Sequence, residues 1–260
     1  MIIIDNIDQG SDDWHNCRLG VATASRSADY AQQPNLAPMP EVNIEKVGKF
    51  NQCVFNGVEY SDANKANIVT AIRESLPVVY SESRNGYMCE LVAEVCTGLN
   101  KEQGKFKQTE WGHDNEDLAR EYFSFETGLE VETVAFIYAD ESKRFGISPD
   151  GLIKSQRKGL ELKCPYDSKV FIEFAVFGKI KPEYIEQCQY SMWVTGYDSW
   201  YFASYDPRMK TKQLHYVEIL RDEAFMKKYD TAKDQFIKDM DFALNQMAVN
   251  YGSQFNTTEI

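Results

Sequence analysis

Histidine is scarce in this chain, with three in 260 residues (His15, His113, His215), and the six cysteines (Cys17, Cys53, Cys89, Cys96, Cys164, Cys188) are scattered with no C-x-x-C pair. That excludes zinc-finger and cysteine-ligated iron–sulfur spacings, and the cysteines read as buried free thiols. No apolar run approaches membrane-spanning length. The opening Met1-Ile2-Ile3-Ile4-Asp5 has no basic region and too short an apolar run for a secretory leader, so it reads as a first strand and the chain as cytoplasmic. Positive charge is also short: 28 Lys and Arg against 40 Asp and Glu leave a net charge of -12. An open DNA-binding face is therefore disfavoured, but lysines and arginines lining one groove or channel would still accept phosphates.

What is present is enough apolar material, 43% of residues, for a sizeable core and one large domain spanning 1–260. The run Gln32-Gln33-Pro34-Asn35-Leu36-Ala37-Pro38-Met39-Pro40 signals loop, and about 32–83 reads as irregular, an insertion or flexible arm. Helices are expected over 87–97, 109–127, 182–195 and roughly 222–248, and strands near 130–138, 145–153, 159–164, 199–205 and 213–220. In the second helix, Leu118, Tyr122 and Phe125 share a candidate apolar face, and Glu116 and Arg120 are spaced to pair. The order predicts an α/β fold, a mixed central β-sheet flanked by helices.

The chemistry-bearing stretch is Ser148-Pro149-Asp150-Gly151 followed by Gly159-Leu160-Glu161-Leu162-Lys163. On a strand, Glu161 and Lys163 point one way while Leu160 and Leu162 point into a core. A hairpin at the Pro/Gly turn would set Asp150 beside Glu161. Two carboxylates can hold Mg²⁺, and a neighbouring lysine can reach the attacked phosphate or its water, the requirements of phosphodiester hydrolysis. Alone, the pattern is short, and a turn aspartate with a strand Glu/Lys pair would look the same. Glu116 alone suits a helix ion pair, and Gln187 and Gln189, two apart, cannot both face one site. Arg18 with Ser25 fits a phosphate pocket or an ordinary ion pair and cap.

Several longer segments, QGSDDWHNCRLGVATAS (9–25), LVAEVCTG (91–98), SPDGL (148–152), GLELKCP (159–165), QCQYSMWVT (187–195) and WYFASYDPRMK (200–210), resemble the lambda-type exonucleases and YqaJ-type viral recombinases of the PD-(D/E)xK nuclease superfamily. The resemblance implies a restriction-endonuclease-like core and a Mg²⁺-dependent 5′→3′ double-strand DNA exonuclease. Such an enzyme releases mononucleotides and leaves 3′ overhangs for homologous recombination. It further implies two Mg²⁺ ions (Mn²⁺ as substitute), held by Asp150, Glu161, the Leu162 carbonyl and Glu116, with Lys163 and Gln187 also catalytic. Arg18, Ser25 and Ser148 match positions that bind the terminal 5′-phosphate. The implied partners are duplex DNA ends, a single-strand annealing protein and two further copies in a homotrimeric ring. A structure-specific endonuclease and a non-catalytic DNA end-binding module are the alternatives. The 32–83 section is longer than in the lambda-type enzymes, and Thr109 stands where they carry an apolar strand-separating residue.

Overall fold

The structure, a computed structural model, describes residues 1–100 and 107–255. Its elements in chain order begin with β1 (Ile2–Ile4), α1 (Asp12–Cys17), β2 (Ala22–Thr23) and α2 (Ser27–Tyr30). Then come β3 (Asn35–Leu36), β4 (Glu45–Val47), β5 (Phe50–Phe55), β6 (Val58–Asp62), α3 (Lys65–Ser75) and β7 (Val78–Val79). The chain continues with α4 (Glu82–Thr97), α5 (Lys107–Thr127), β8 (Phe136–Tyr138), β9 (Phe145–Ile147), β10 (Gly151–Ile153) and β11 (Lys158–Lys163). Last are α6 (Ser168–Phe177), α7 (Pro182–Thr195), β12 (Ser199–Tyr205), β13 (Leu214–Leu220) and α8 (Glu223–Gln246). Two compact units emerge, one from residues 1–31 and 86–260, the other from 32–85.

The larger unit holds two mixed four-stranded sheets, ordered β1-β8-β9-β2 and β10-β11-β12-β13, where the sequence suggests one. A bridge between Glu132 and Leu152 links the segment before β8 to β10. In the second sheet β10 and β11 form an antiparallel hairpin, α6 and α7 carry the chain across to β12 parallel to β11, and β13 returns antiparallel. Both faces of β11 are covered, and the period of two sorts its residues. Leu160 and Leu162 pack with Ala119, Phe123 and Ala203 on the α5 side, each contributing roughly 2 kcal/mol by burial. Gly159 faces the other way, where a Cβ would sit 2.2 Å from the buried Trp200 ring, so only glycine lets β11 and β12 pair there. Pro182 opens α7 at its first turn, and Gly196, at φ 68°, closes it in the left-handed region.

The face of α5 differs from expectation. Leu118 and Phe125 are 53% and 88% exposed, and the buried line is Asn115, Ala119 and Phe123. Small Ala119 lets the helix come close to β11. The cysteines differ too: all six are free, but Cys53 and Cys188 alone are buried and Cys89 is exposed.

The smaller unit is not irregular. Strands β4, β5 and β6 form an antiparallel meander, β3 pairs with β7, and α3 contributes Ile68 and Ile72 to a small core with Cys53. Its β5–β6 turn is Asn56-Gly57, both at positive φ (48° and 79°), the geometry that favours Asn-Gly in tight hairpins.

Candidate active site

The β10–β11 hairpin brings the sequence pattern together. Gly151 pairs with Leu160, so Asp150, just before β10, falls opposite Glu161. The Asp150 Oδ2 accepts the Leu162 N–H at 2.6 Å. Lys163 Nζ donates to Glu161 Oε1 at 2.5 Å on the face away from Leu160 and Leu162. From α5, Arg120 Nη2 holds Glu116 Oε1 at 3.0 Å, Nη1 holds Asp117 at 2.7 Å, and Nε donates to the Asp150 carbonyl oxygen at 2.6 Å. Arg120 is therefore more than the helix partner of Glu116, since it ties α5 to the residue at the centre of the site. Its sequence position carries no signal for that second bond.

The electrostatics follow from the crowding of like charges. Burial, then Glu161, then Glu116 push the Asp150 carboxyl well above the usual carboxylate range, and Lys163 and the Leu162 N–H offset only part. Burial also raises Glu116, against the pull of Arg120. Burial alone would lower Lys163, but the Glu161 and Asp150 carboxylates outweigh it and hold the ammonium charged.

Among the described residues no three His, Cys, Asp or Glu side chains are already arranged to hold a metal; Glu161 is engaged by Lys163 and Glu116 by Arg120. The donor set nonetheless fits a hard divalent cation: hard oxygen donors, all anionic or carbonyl, with mutual repulsion that a cation would relieve. Gln187 lies on α7, which packs against β11 and β12, and among the described residues its buried side-chain oxygen has no hydrogen-bond donor. Gln189 is structural: its amide donates to the Leu220 carbonyl and its oxygen accepts from Asp222 N–H.

Beside this cluster, two residues before Asp150, Ser148 Oγ accepts from Arg18 Nη1 at 3.0 Å and from the Trp14 indole at 2.8 Å. The half-buried Arg18 stacks its guanidinium on Trp14 at 4.1 Å, burial pushes its pKa down, and among the described residues it makes no ion pair. Ser25 is not drawn into that group. It is exposed, and its hydroxyl meets Thr23 at 3.5 Å. The side chain of Thr109 lies outside the described residues.

A carboxylate pair and lysine on a β-hairpin inside a mixed α/β core define the PD-(D/E)xK nuclease fold. The YqaJ-like viral recombinase domain matches residues 13–198, and the chain belongs to that family. An alkaline exonuclease (LHK-Exo) from Laribacter hongkongensis superposes with TM-score 0.67 at 27% identity, covering 92% of this chain and 96% of that one. A second structure of LHK-Exo holds dAMP. A phage-related exonuclease from Haemophilus somnus 129PT shares the fold, with TM-score 0.58 at 15% identity over 87% of this chain and 96% of its own. ExoD, an uncharacterized protein of Escherichia coli (strain K12), is 51% identical over 79 residues, 30% of this chain and 91% of its own length. Among the described residues no helix is long and apolar enough to cross a membrane.

Proposed function

We propose that this chain is a metal-dependent exonuclease that digests one strand of duplex DNA from its 5′ end. It would release mononucleotides and leave a 3′ overhang for recombination. The observation that carries this is the Asp150–Glu161–Lys163 cluster on one hairpin, with Arg18, half-buried and without an ion-pair partner among the described residues, bonded to Ser148 next to it. Asp150, Glu161, the Leu162 carbonyl and Glu116 would hold Mg²⁺, or Mn²⁺ in its place. The bound cation would supply positive charge at the phosphate and acidify a water. Lys163, beside those carboxylates, would orient or help activate the water and steady charge growing on the phosphate. Gln187 offers its unpaired oxygen to an arriving water or amine donor. A desolvated guanidinium with no carboxylate in ion-pair contact among the described residues, and only the attraction of the more distant Glu94, is a standing cost that a terminal phosphate would relieve with charge-assisted bonds from Arg18 and the Ser148 hydroxyl; Ser25, which the resemblance adds as a third contact, would have to be drawn in from its exposed position.

A net charge of -12 suits an enclosed passage better than an open face. From the family resemblance, with which that charge is compatible, we read the working form as a homotrimeric ring threaded by DNA, serving a single-strand annealing protein in the cytoplasm, with residues 32–85 inserted into the nuclease domain. Linear duplexes labelled at the 5′ or the 3′ end, with and without Mg²⁺, test the reaction. Release of 5′-labelled mononucleotides with Mg²⁺ only, and intact circular DNA, is the expected result. Cleaved circles would make the chain an endonuclease, and a folded protein that binds ends without hydrolysis would make it an end-binding module. A 5′-phosphorylated end should be digested faster than a 5′-hydroxyl end, and Arg18→Ala should erase that difference; equal rates in the unaltered protein would remove the Arg18 role.

A further inference from the structure

The β11–α6 loop carries an aromatic ledge beside the candidate site. Tyr166 lies three residues beyond Lys163 and is 48% exposed. Its backbone is nevertheless firmly held. Arg208 donates from Nη1 to the Tyr166 carbonyl and from Nη2 to the Pro165 carbonyl, both at 2.9 Å. The same guanidinium is fixed by the fully buried Asp206 through Nε at 2.8 Å and Nη2 at 2.9 Å. It also stacks over Trp111 at 4.5 Å, and Trp111 meets the Tyr166 ring edge-on at 6.2 Å. Trp111 sits on α5 five residues before Glu116.

Fold stability does not account for this arrangement. An exposed ring gains little from packing, yet its loop is pinned by a stacked arginine that makes four side-chain hydrogen bonds, two to Asp206 and two to the loop carbonyls. Among the described residues the buried Trp111 indole N–H has no acceptor, a cost that a purely structural cluster would be expected to shed. A flat aromatic face, held rigid before its ligand arrives, is what a nucleobase needs for stacking at low entropic cost.

We propose that Tyr166, backed by Trp111 and Arg208, is a stacking platform for an unpaired nucleobase at the strand end being cleaved. This rests on the nuclease reading and adds a subsite to it. Tyr166 is a positioning residue that holds the opened end where the carboxylates and Lys163 can act on it.

The test uses the full chain and its Y166A, Y166L, Y166F and Y166W variants. A duplex with 2-aminopurine at the 5′-terminal position is bound in Ca²⁺ and its fluorescence read. In parallel, kcat/KM is measured with Mg²⁺ on fully paired and on mismatched ends. With a platform, fluorescence is quenched on the unaltered protein, Y166F and Y166W, and rises with Y166A and Y166L. The same two variants lose about tenfold in kcat/KM on paired ends, one base stack's worth, and the gap narrows on mismatched ends, which need no opening. Identical fluorescence in Y166A, undiminished turnover on paired ends, or a Y166F defect as large as that of Y166A would overturn the platform. Fluorescence needs no turnover, so an unaltered protein that hydrolyses no duplex counts against the nuclease reading instead.

Discussion

Asp150→Asn separates what the site needs for chemistry from what it costs the fold. The asparagine oxygen can still accept the Leu162 N–H that Asp150 accepts at 2.6 Å, so the change is chiefly one of charge. The folded-state pKa of Asp150 is raised, by burial first and then by Glu161 and Glu116. The folded protein therefore holds this proton more tightly than the unfolded chain does, so stability is full below the ordinary carboxylate pKa and is lost as pH rises towards the raised value. Every tenfold gain in proton affinity on folding corresponds to about 1.4 kcal/mol. Asp150 is half-buried, and water screens part of the repulsion. Asp150→Asn should therefore stabilise the metal-free protein by about 1–3 kcal/mol at neutral and alkaline pH. For a chain of this length that raises Tm by about 3–10 °C. Thermal melts in EDTA across the range from about pH 4 to about pH 9 read the difference, which should shrink to nothing towards the ordinary carboxylate pKa. Mg²⁺ should raise the Tm of the unaltered protein and leave Asp150→Asn, which should also lose activity, almost unmoved. A variant that melts at or below the unaltered protein in alkaline EDTA would refute the reasoning.

Two further expectations follow from named contacts. Arg120→Gln removes the guanidinium that joins Glu116 to the Asp150 carbonyl, so the Mg²⁺ concentration for half-maximal activity should rise about tenfold or more; Arg120→Lys, without the fork, should not restore it, and an unchanged Mg²⁺ titration would count against the role. Gly159→Ala drives a Cβ into the Trp200 ring and should cost about 1–3 kcal/mol or more, read as a lowered Tm; an unshifted melt would show that β11 and β12 can move apart there.

The hairpin of the site was legible because alternation on β11 is unusually clean: Leu160 and Leu162 go to the α5 side, and Glu161 and Lys163 to the other. Strands β11, β12 and β13 and helices α7 and α8 were legible for the same reason of period, but the strand expected over 145–153 is two, β9 and β10, in different sheets, and helix α6 (Ser168–Phe177) was not read. The α5 face was not. Leu118 and Phe125 have the right spacing, yet what decides the packed side is how near the helix can approach β11, and that is set by Ala119, the smallest residue on the line. The smaller unit was masked by its proline-rich entry, although Asn56-Gly57 between β5 and β6 carried a hairpin signal that could have located the meander. Arg208 and Trp111, from the β12–β13 connection and α5, are joined only in three dimensions, and no spacing in the chain connects them to Tyr166.

Charge organisation ties these parts together. Each carboxylate of the cluster has its own fixed counterpart: Lys163 for Glu161, Arg120 for Glu116, and a backbone N–H for Asp150. The counterparts fix the orientation of the carboxylates before any ligand arrives, but a neutral N–H offsets a negative charge less than an ammonium or guanidinium does, so repulsion concentrates on Asp150. Arg18 presents the opposite imbalance: a desolvated cation with no ion-pair partner among the described residues, joined to the same loop through Ser148. A cation on one side of the Ser148-Pro149-Asp150 turn and a phosphate on the other would relieve both imbalances together. The two ligands should then bind with positive coupling, each arrival reducing the strain that the other meets.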